Sequence, residues 1–196
     1  MKKWLLPLIL IVAIAFWAYR AGGGFYNKAI TLKEDATSQW ANVESAYQRR
    51  GDLIPNLVAT VKGYATHEKE TLEGVIKARA EATKTTINAG DLTPEKMAAF
   101  QKAQSGLSGA LSKLMVVVER YPDLKASQSF LELQSQLEGT ENRINVERNR
   151  FNKMVNPYNQ LLKKFPNFLF AGWFKLNEMT YFKAEAGSEK APKFTF

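Results

Sequence analysis

From Ala36 onward the apolar residues of this chain fall in alternating steps of four and three. Ala36, Trp40, Val43 and Tyr47 lead past Arg50 to Ile54, Leu57, Val61 and Tyr64, then past Glu68 to Leu72, Val75 and, beyond Arg79, Ala82. A 3.5-residue repeat lays one stripe along an α-helix and asks for a second helix to cover it at a shallow left-handed angle. The rhythm returns in Met97, Phe100, Gln104, Leu107, Leu111, Leu114, Val118 and Tyr121. It returns again in Phe130, Leu133, Leu137, Glu141, Ile144, Arg148, Phe151, Val155, Tyr158 and Leu162. Short connections make neighbouring helices antiparallel. The expected fold class is therefore all-α: an N-terminal membrane anchor helix, an elongated antiparallel bundle of three to four long helices, up-down-up, and a short aromatic C-terminal segment.

The breaks are written in residues with known backbone preferences. Gly90 stops a helix, Thr93 caps the next and Pro94 occupies its first position; Pro122 ends that helix, and a third begins near Ser127. Pro55 lies inside the first seam. Either the helix restarts there with Asp52 as its N-cap, or it kinks, and the unbroken phase of the seam favours a kink. Pro157 predicts a second kink. Without a break, the first helix would run from about residue 28 to 88, roughly 90 Å. Trp40, Val43 and Tyr47 would then lack intrachain cover and form the seam of a homo-oligomer.

Residues 4–19 form an uncharged apolar run behind Met1, Lys2 and Lys3, the layout of a signal-anchor over residues 1–21. At ~1.5 Å per residue the run reaches roughly 24 Å, short of a ~30 Å hydrocarbon core, with Lys3, Arg20, Trp4, Trp17 and Tyr19 placed to make up the difference. A cleaved signal is the alternative. The lysine flank favours a single-pass protein of the inner membrane with its domain outside the cytoplasm; a cytoplasmic domain stays open. Gly22, Gly23 and Gly24 predict a hinge over residues 22–27, because glycine costs about 1 kcal/mol relative to alanine within a helix.

With 196 residues and 45% hydrophobic content, the chain can bury one core. The expected boundaries are a bundle over 28–164, an aromatic capping segment over 165–182 and a tail over 183–196. The seven aromatic residues of 165–182 either plug the open end of the bundle or dip into lipid headgroups. Cysteine is absent and His67 is the single histidine, which excludes thiolate chemistry and a histidine metal cluster. No catalytic constellation, cofactor motif or small-molecule substrate site is expected. The net charge of +8 is spread among acidic residues, so nucleic acid is not the expected partner; lipid headgroups near Arg20, Lys28 and Lys33 are.

Charges on the seams stand where leucine would be ordinary. Arg50, Glu68, Arg79, Glu141 and Arg148 form either a buried ion-pair ladder or a partly exposed edge of the bundle. Beside them Asn145, Asn149, Asn152, Asn156 and Asn159 form a polar strip expected to bond across to Asp52 and Asn56. The stretch Trp40 to Ala65, containing Arg49-Arg50-Gly-Asp52-Leu-Ile-Pro-Asn56, together with Tyr121 to Asn159, resembles the two landmarks of the LemA family. That resemblance implies an all-helical, membrane-anchored protein without an established catalytic activity. Some relatives carry a lipoprotein-type cysteine near the position of Gly22 to Asn27, which this sequence lacks.

The expected function is a non-enzymatic scaffold or adaptor of the bacterial cell envelope. The alternative is a regulatory or client-presenting partner of a membrane or periplasmic protease. The candidate partner surface is Arg49, Arg50, Asp52, Asn56, Glu141, Arg148, Asn152 and Asn156. At the C-terminus, Phe194 and Phe196 present alternating rings before a free carboxylate, a ligand form suited to PDZ-type domains; a frayed tail is the alternative.

Overall fold

The computed structural model describes residues 5–183, and within them the ordered elements are all helices. Helix α1 runs over Leu5–Tyr64, α2 over Lys69–Lys84, α3 over Pro94–Val118, α4 over Pro122–Lys125, α5 over Gln128–Lys163 and α6 over Asn167–Trp173. The second half of α1 packs with α2, α3 and α5 in an up-down-up-down bundle. Side-chain contacts between Gln104 and Ala82, and between Arg120 and Glu68, set α3 antiparallel to α2. Contacts between Trp40 and Phe151, and between Arg50 and Glu141, set α5 antiparallel to α1.

The expected single helix over 28–88 is corrected by a reversal at residues 65–68, closed by the amide of Ala65 on Val61 O (2.8 Å) and that of Glu68 on Ala65 O (3.2 Å). Turn and seam step have the same length. Tyr64 to Glu68 is four residues, so the periodicity passes through the reversal without a fault. Glu68 accepts from Arg120 and from the Tyr121 hydroxyl, both at 3.0 Å, tying the turn to the end of α3.

Helix α1 runs on through Pro55, as the seam phase indicates. Pro55 has no N–H to give the carbonyl of Gly51, one turn earlier. Arg79 Nε on α2 takes that carbonyl instead, at 2.7 Å. The charge at seam position 79 thus repairs a backbone defect that the proline creates. Thr93 caps α3 as expected, its hydroxyl accepting from the Lys96 amide at 3.4 Å, with Pro94 in the first turn.

The glycine hinge is also corrected, since α1 continues without interruption through Gly22, Gly23 and Gly24. Tertiary contacts outweigh the poor helix propensity here. Helix α6 lies across this turn, with Phe25 against Phe170 (ring centroids 5.9 Å) and Phe174 (6.4 Å), and Tyr26 against Phe174 (4.9 Å). A Cβ on Gly22 would meet the Phe170 ring at 3.4 Å, whereas one on Gly23 or Gly24 meets nothing within 4 Å. Gly23→Ala and Gly24→Ala should therefore each stabilise the full chain in detergent by up to about 1 kcal/mol. A hinge predicts no upward shift of the thermal midpoint.

The core divides in two. One cluster gathers around Trp40, Phe100, Phe151, Val155 and Phe182; the other gathers around Ile54, Leu57, Val75, Leu107, Leu114 and Phe130. Arg50 sits at the level where the first gives way to the second.

Candidate functional site

Arg50 is 1% exposed, at the middle of the bundle. Its guanidinium donates from Nη1 to Glu141 Oε1 (2.6 Å) and Ser108 Oγ (3.0 Å), and from Nη2 to Gln104 Oε1 (2.6 Å) and Gln104 O (3.3 Å). It also stands 5.2 Å from the centroid of the Tyr47 ring. Gln104 in turn donates to Ala82 O at 3.2 Å, so one buried arginine fixes the register of α1, α2, α3 and α5. The Glu141 side chain is 42% exposed: the pair is dry on the arginine side and wet on the carboxylate side.

That wet side opens into a groove of about 1010 Å³ between α3 and α5. Gln104, Ser108, Leu111, Ser112 and Met115 form the α3 wall. Glu138, Glu141, Asn142, Asn145, Arg148 and Asn149 form much of the α5 wall, Tyr47 and Arg50 lie at the floor, and Phe182 and Lys183 close one end. The two walls barely touch one another.

The asparagine strip does not reach Asp52 or Asn56, which are exposed along with Arg49. It holds the C-terminal segment instead. Asn159 donates to Met179 O (2.8 Å) and accepts from Met179 N (2.9 Å); Asn152 does the same for Phe182, at 3.0 and 2.9 Å. Each side-chain amide thus acts as a strand partner would, satisfying both backbone groups of one residue. The spacing explains the choice of residues. Seven residues of helix rise ~10.5 Å, and three residues of extended chain cover roughly 9–10 Å. Asn156 Oδ1 receives Gln160 at 3.3 Å and stands 3.5 Å from the Tyr181 hydroxyl, and Tyr158 donates to Asn177 O at 3.0 Å.

This clamp delivers Phe182 onto Trp40 (5.6 Å, stacked) and Phe151 (5.6 Å, edge-on). Trp40, Val43 and Tyr47 are consequently buried within the chain, and the expected oligomer seam is corrected: Phe100, Phe151 and Phe182 provide the cover. Of the proposed ion-pair ladder, only Arg50 is fully buried. Arg148 lies at the edge, donating to Lys183 O (2.9 Å) with its guanidinium 4.9 Å from the Phe182 ring centroid. Phe194 and Phe196 lie outside the described residues.

The seam reading missed Glu147, which is 1% exposed and receives Gln39 Nε2 (2.7 Å), Arg143 Nε (2.9 Å) and Arg150 Nη1 (3.1 Å). Burial pushes its carboxyl pKa up, but the Gln39 hydrogen bond and the charges of Arg150 and Arg143 outweigh it and hold the group below its ordinary value of 4.5. A depressed native pKa contributes stability that is present above about pH 4.5 and is lost as pH falls through the folded value. Glu147→Gln should cost ~1–2 kcal/mol at neutral pH. The deficit should vanish in acid, where melts of the two proteins converge; a deficit independent of pH would contradict the assignment.

Residues 39–196 match the model of the LemA family, and both sequence landmarks fall on the Arg50 layer and the asparagine clamp. The chain belongs to the LemA family. Magnetosome protein MamQ of Magnetospirillum gryphiswaldense is 30% identical over 81% of this chain and 62% of its own length. Magnetosome protein MamQ 1 of Paramagnetospirillum magneticum is 30% identical over 84% of this chain and 65% of its own. Protein LemA of Metamycoplasma hominis is 23% identical over 92% and 77%, respectively. The chain thus spans less than two thirds of the magnetosome proteins it resembles. In this chain the first block supplies Arg50 and the Gly51–Pro55 defect, and the second supplies Asn152.

Proposed function

We propose that this member of the LemA family is a non-enzymatic, membrane-anchored adaptor of the bacterial cell envelope whose α3–α5 groove holds an extended polypeptide. Supporting this is the repeat of the clamp. Asn145 lies seven residues before Asn152, as Asn152 lies before Asn159, and it lines the groove exposed, without a backbone partner among the described residues. An extended partner polypeptide entering beyond Lys183 meets a third rung of the same ladder. Glu138, Glu141, Arg148 and Lys183 along the walls offer charges of both signs to its side chains.

A photo-crosslinking residue placed at Asn145 or Ser112 in the full chain, in its native membrane, should yield a discrete polypeptide adduct; the same residue at exposed Ile76 on α2 should not. Equal labelling at all three positions removes the groove reading. Mass spectrometry of the adduct separates an adaptor from a regulator, because the latter requires the partner to be a protease.

Anchoring rests on α1, which is apolar and long enough to cross a membrane, with Leu8 to Val12 and Ile14 exposed. The lysine flank supports an extracytoplasmic domain. External protease on intact spheroplasts should then digest the bundle, and a shielded bundle reverses the orientation.

A further inference from the structure

The geometry points to α6 as a second membrane contact: an in-plane platform that seats the bundle on the lipid headgroup layer beside the span of α1. The inference rests on α1 being the anchor. Helix α6 turns Phe170 and Ala171 toward α1 and leaves Phe168 (51% exposed), Leu169 (58%) and Trp173 (83%) facing away, with Phe165 (81%) just ahead of them. Leu169 and Trp173, four apart, share a helix face with Phe168 beside them, and the Phe165 ring adjoins that of Phe168 (centroids 6.4 Å), so these four side chains form one apolar surface. In water such a patch is unfavourable, and nothing else in the described chain covers it.

Position identifies its occupant. The contacts with Phe25 and Tyr26 fix α6 to the turn of α1 that directly follows the exposed apolar run ending at Tyr19. Six residues of helix separate Tyr19 from Phe25, about 9 Å. The headgroup zone occupies roughly 5–8 Å on each side of the hydrocarbon core. Phe170 also lies against Gly22, three residues or about 4.5 Å past Tyr19, so a span ending at Tyr19 places α6 from within that zone to its outer edge. Aromatic residues of this kind favour the interface, and an in-plane apolar face enters it by about 5–10 Å. Lys164 and Lys175, at the two ends of α6, are exposed and complement anionic headgroups. The apolar run of α1 is itself short for a bilayer, and a docked α6 compensates on one side.

The natural chain has no cysteine, so a single environment-sensitive fluorophore can be attached at Ile9→Cys, Phe168→Cys, Trp173→Cys or Val116→Cys in the full protein. Each variant is reconstituted in phosphatidylcholine vesicles containing phosphatidylglycerol and lipids spin-labelled either near the headgroup or deep in the acyl chain. Labels at 168 and 173 should lose fluorescence more to the shallow quencher than to the deep one. The label at 9 should respond more to the deep quencher, and that at 116 to neither. If 168 and 173 respond no more than 116 while 9 is quenched, the platform is overturned and the anchor stands. If 9 is unquenched as well, both fall.

Discussion

Replacing Arg50 with alanine should destabilise the bundle by about 2–4 kcal/mol, a substantial fraction of the roughly 5–15 kcal/mol that typically holds a domain folded. Three neighbours lose a partner at once: Gln104 loses the donor to its side chain and its carbonyl, Ser108 loses one donor, and Glu141 loses its counter-charge. The missing stem also leaves a void between the two apolar clusters. Because the Glu141 side chain is 42% exposed, water can solvate the abandoned carboxylate, which keeps the cost below that of a fully buried ion. Glu141→Gln should accordingly be milder, about 1 kcal/mol. Arg50→Lys retains the charge but not the fork that reaches α3 and α5 together, so it should recover only part of the loss. Arg148→Ala should cost less than about 1 kcal/mol, since its guanidinium lies at the solvent edge. Thermal melts of the full chain in detergent followed by circular dichroism decide the matter: shifts within error for both Arg50→Ala and Arg148→Ala would remove the polar layer from any account of this fold.

Asn159→Ala is expected to cost about 2–3 kcal/mol and to release the C-terminal segment from α5. Asn159 is 2% exposed, and its amide is the partner of both the N–H and the C=O of Met179. Deleting it leaves two backbone groups without a bond in a dry site, which the segment can relieve only by peeling away and withdrawing Phe182 from Trp40. Asn159→Asp tests the geometry more sharply: the acceptor remains, but a carboxylate oxygen now faces the Met179 carbonyl, so the aspartate should not rescue. Hydrogen exchange supplies the local readout. The Met179 and Phe182 amides should lose protection in Asn159→Ala while amides in the Ile54–Leu57 turn of α1 keep theirs. Unchanged exchange at Met179 would rule out the clamp.

Sequence alone determined the helical class, the apolar N-terminal span and the Thr93-Pro94 start of α3, because each follows from local rules of periodicity, hydropathy and capping. It put Arg50 and Glu141 among the seam charges, and only the fold paired them. The family landmarks were legible too, but their use was not. Asn152 and Asn159 bond to backbone carried by residues 179 and 182, and no pattern in side chains announces which backbone an amide will meet. Glu147 escaped because a helix drifts about 20° per heptad against a strict seven-residue repeat. Leu137, Ile144, Phe151 and Tyr158 are buried throughout; the intermediate buried positions are Thr140 and Glu147 in the first part of α5, then Val155 and Leu162 in the second. A single seam chosen for the whole helix therefore selected Glu141 and Arg148 where the structure buries their neighbours. The turn at 65–68 and the unbroken glycines at 22–24 were decided only by tertiary packing. In the first, α2 gains a buried face by folding back; in the second, Phe170 and Phe174 hold a helix that its own residues would not sustain.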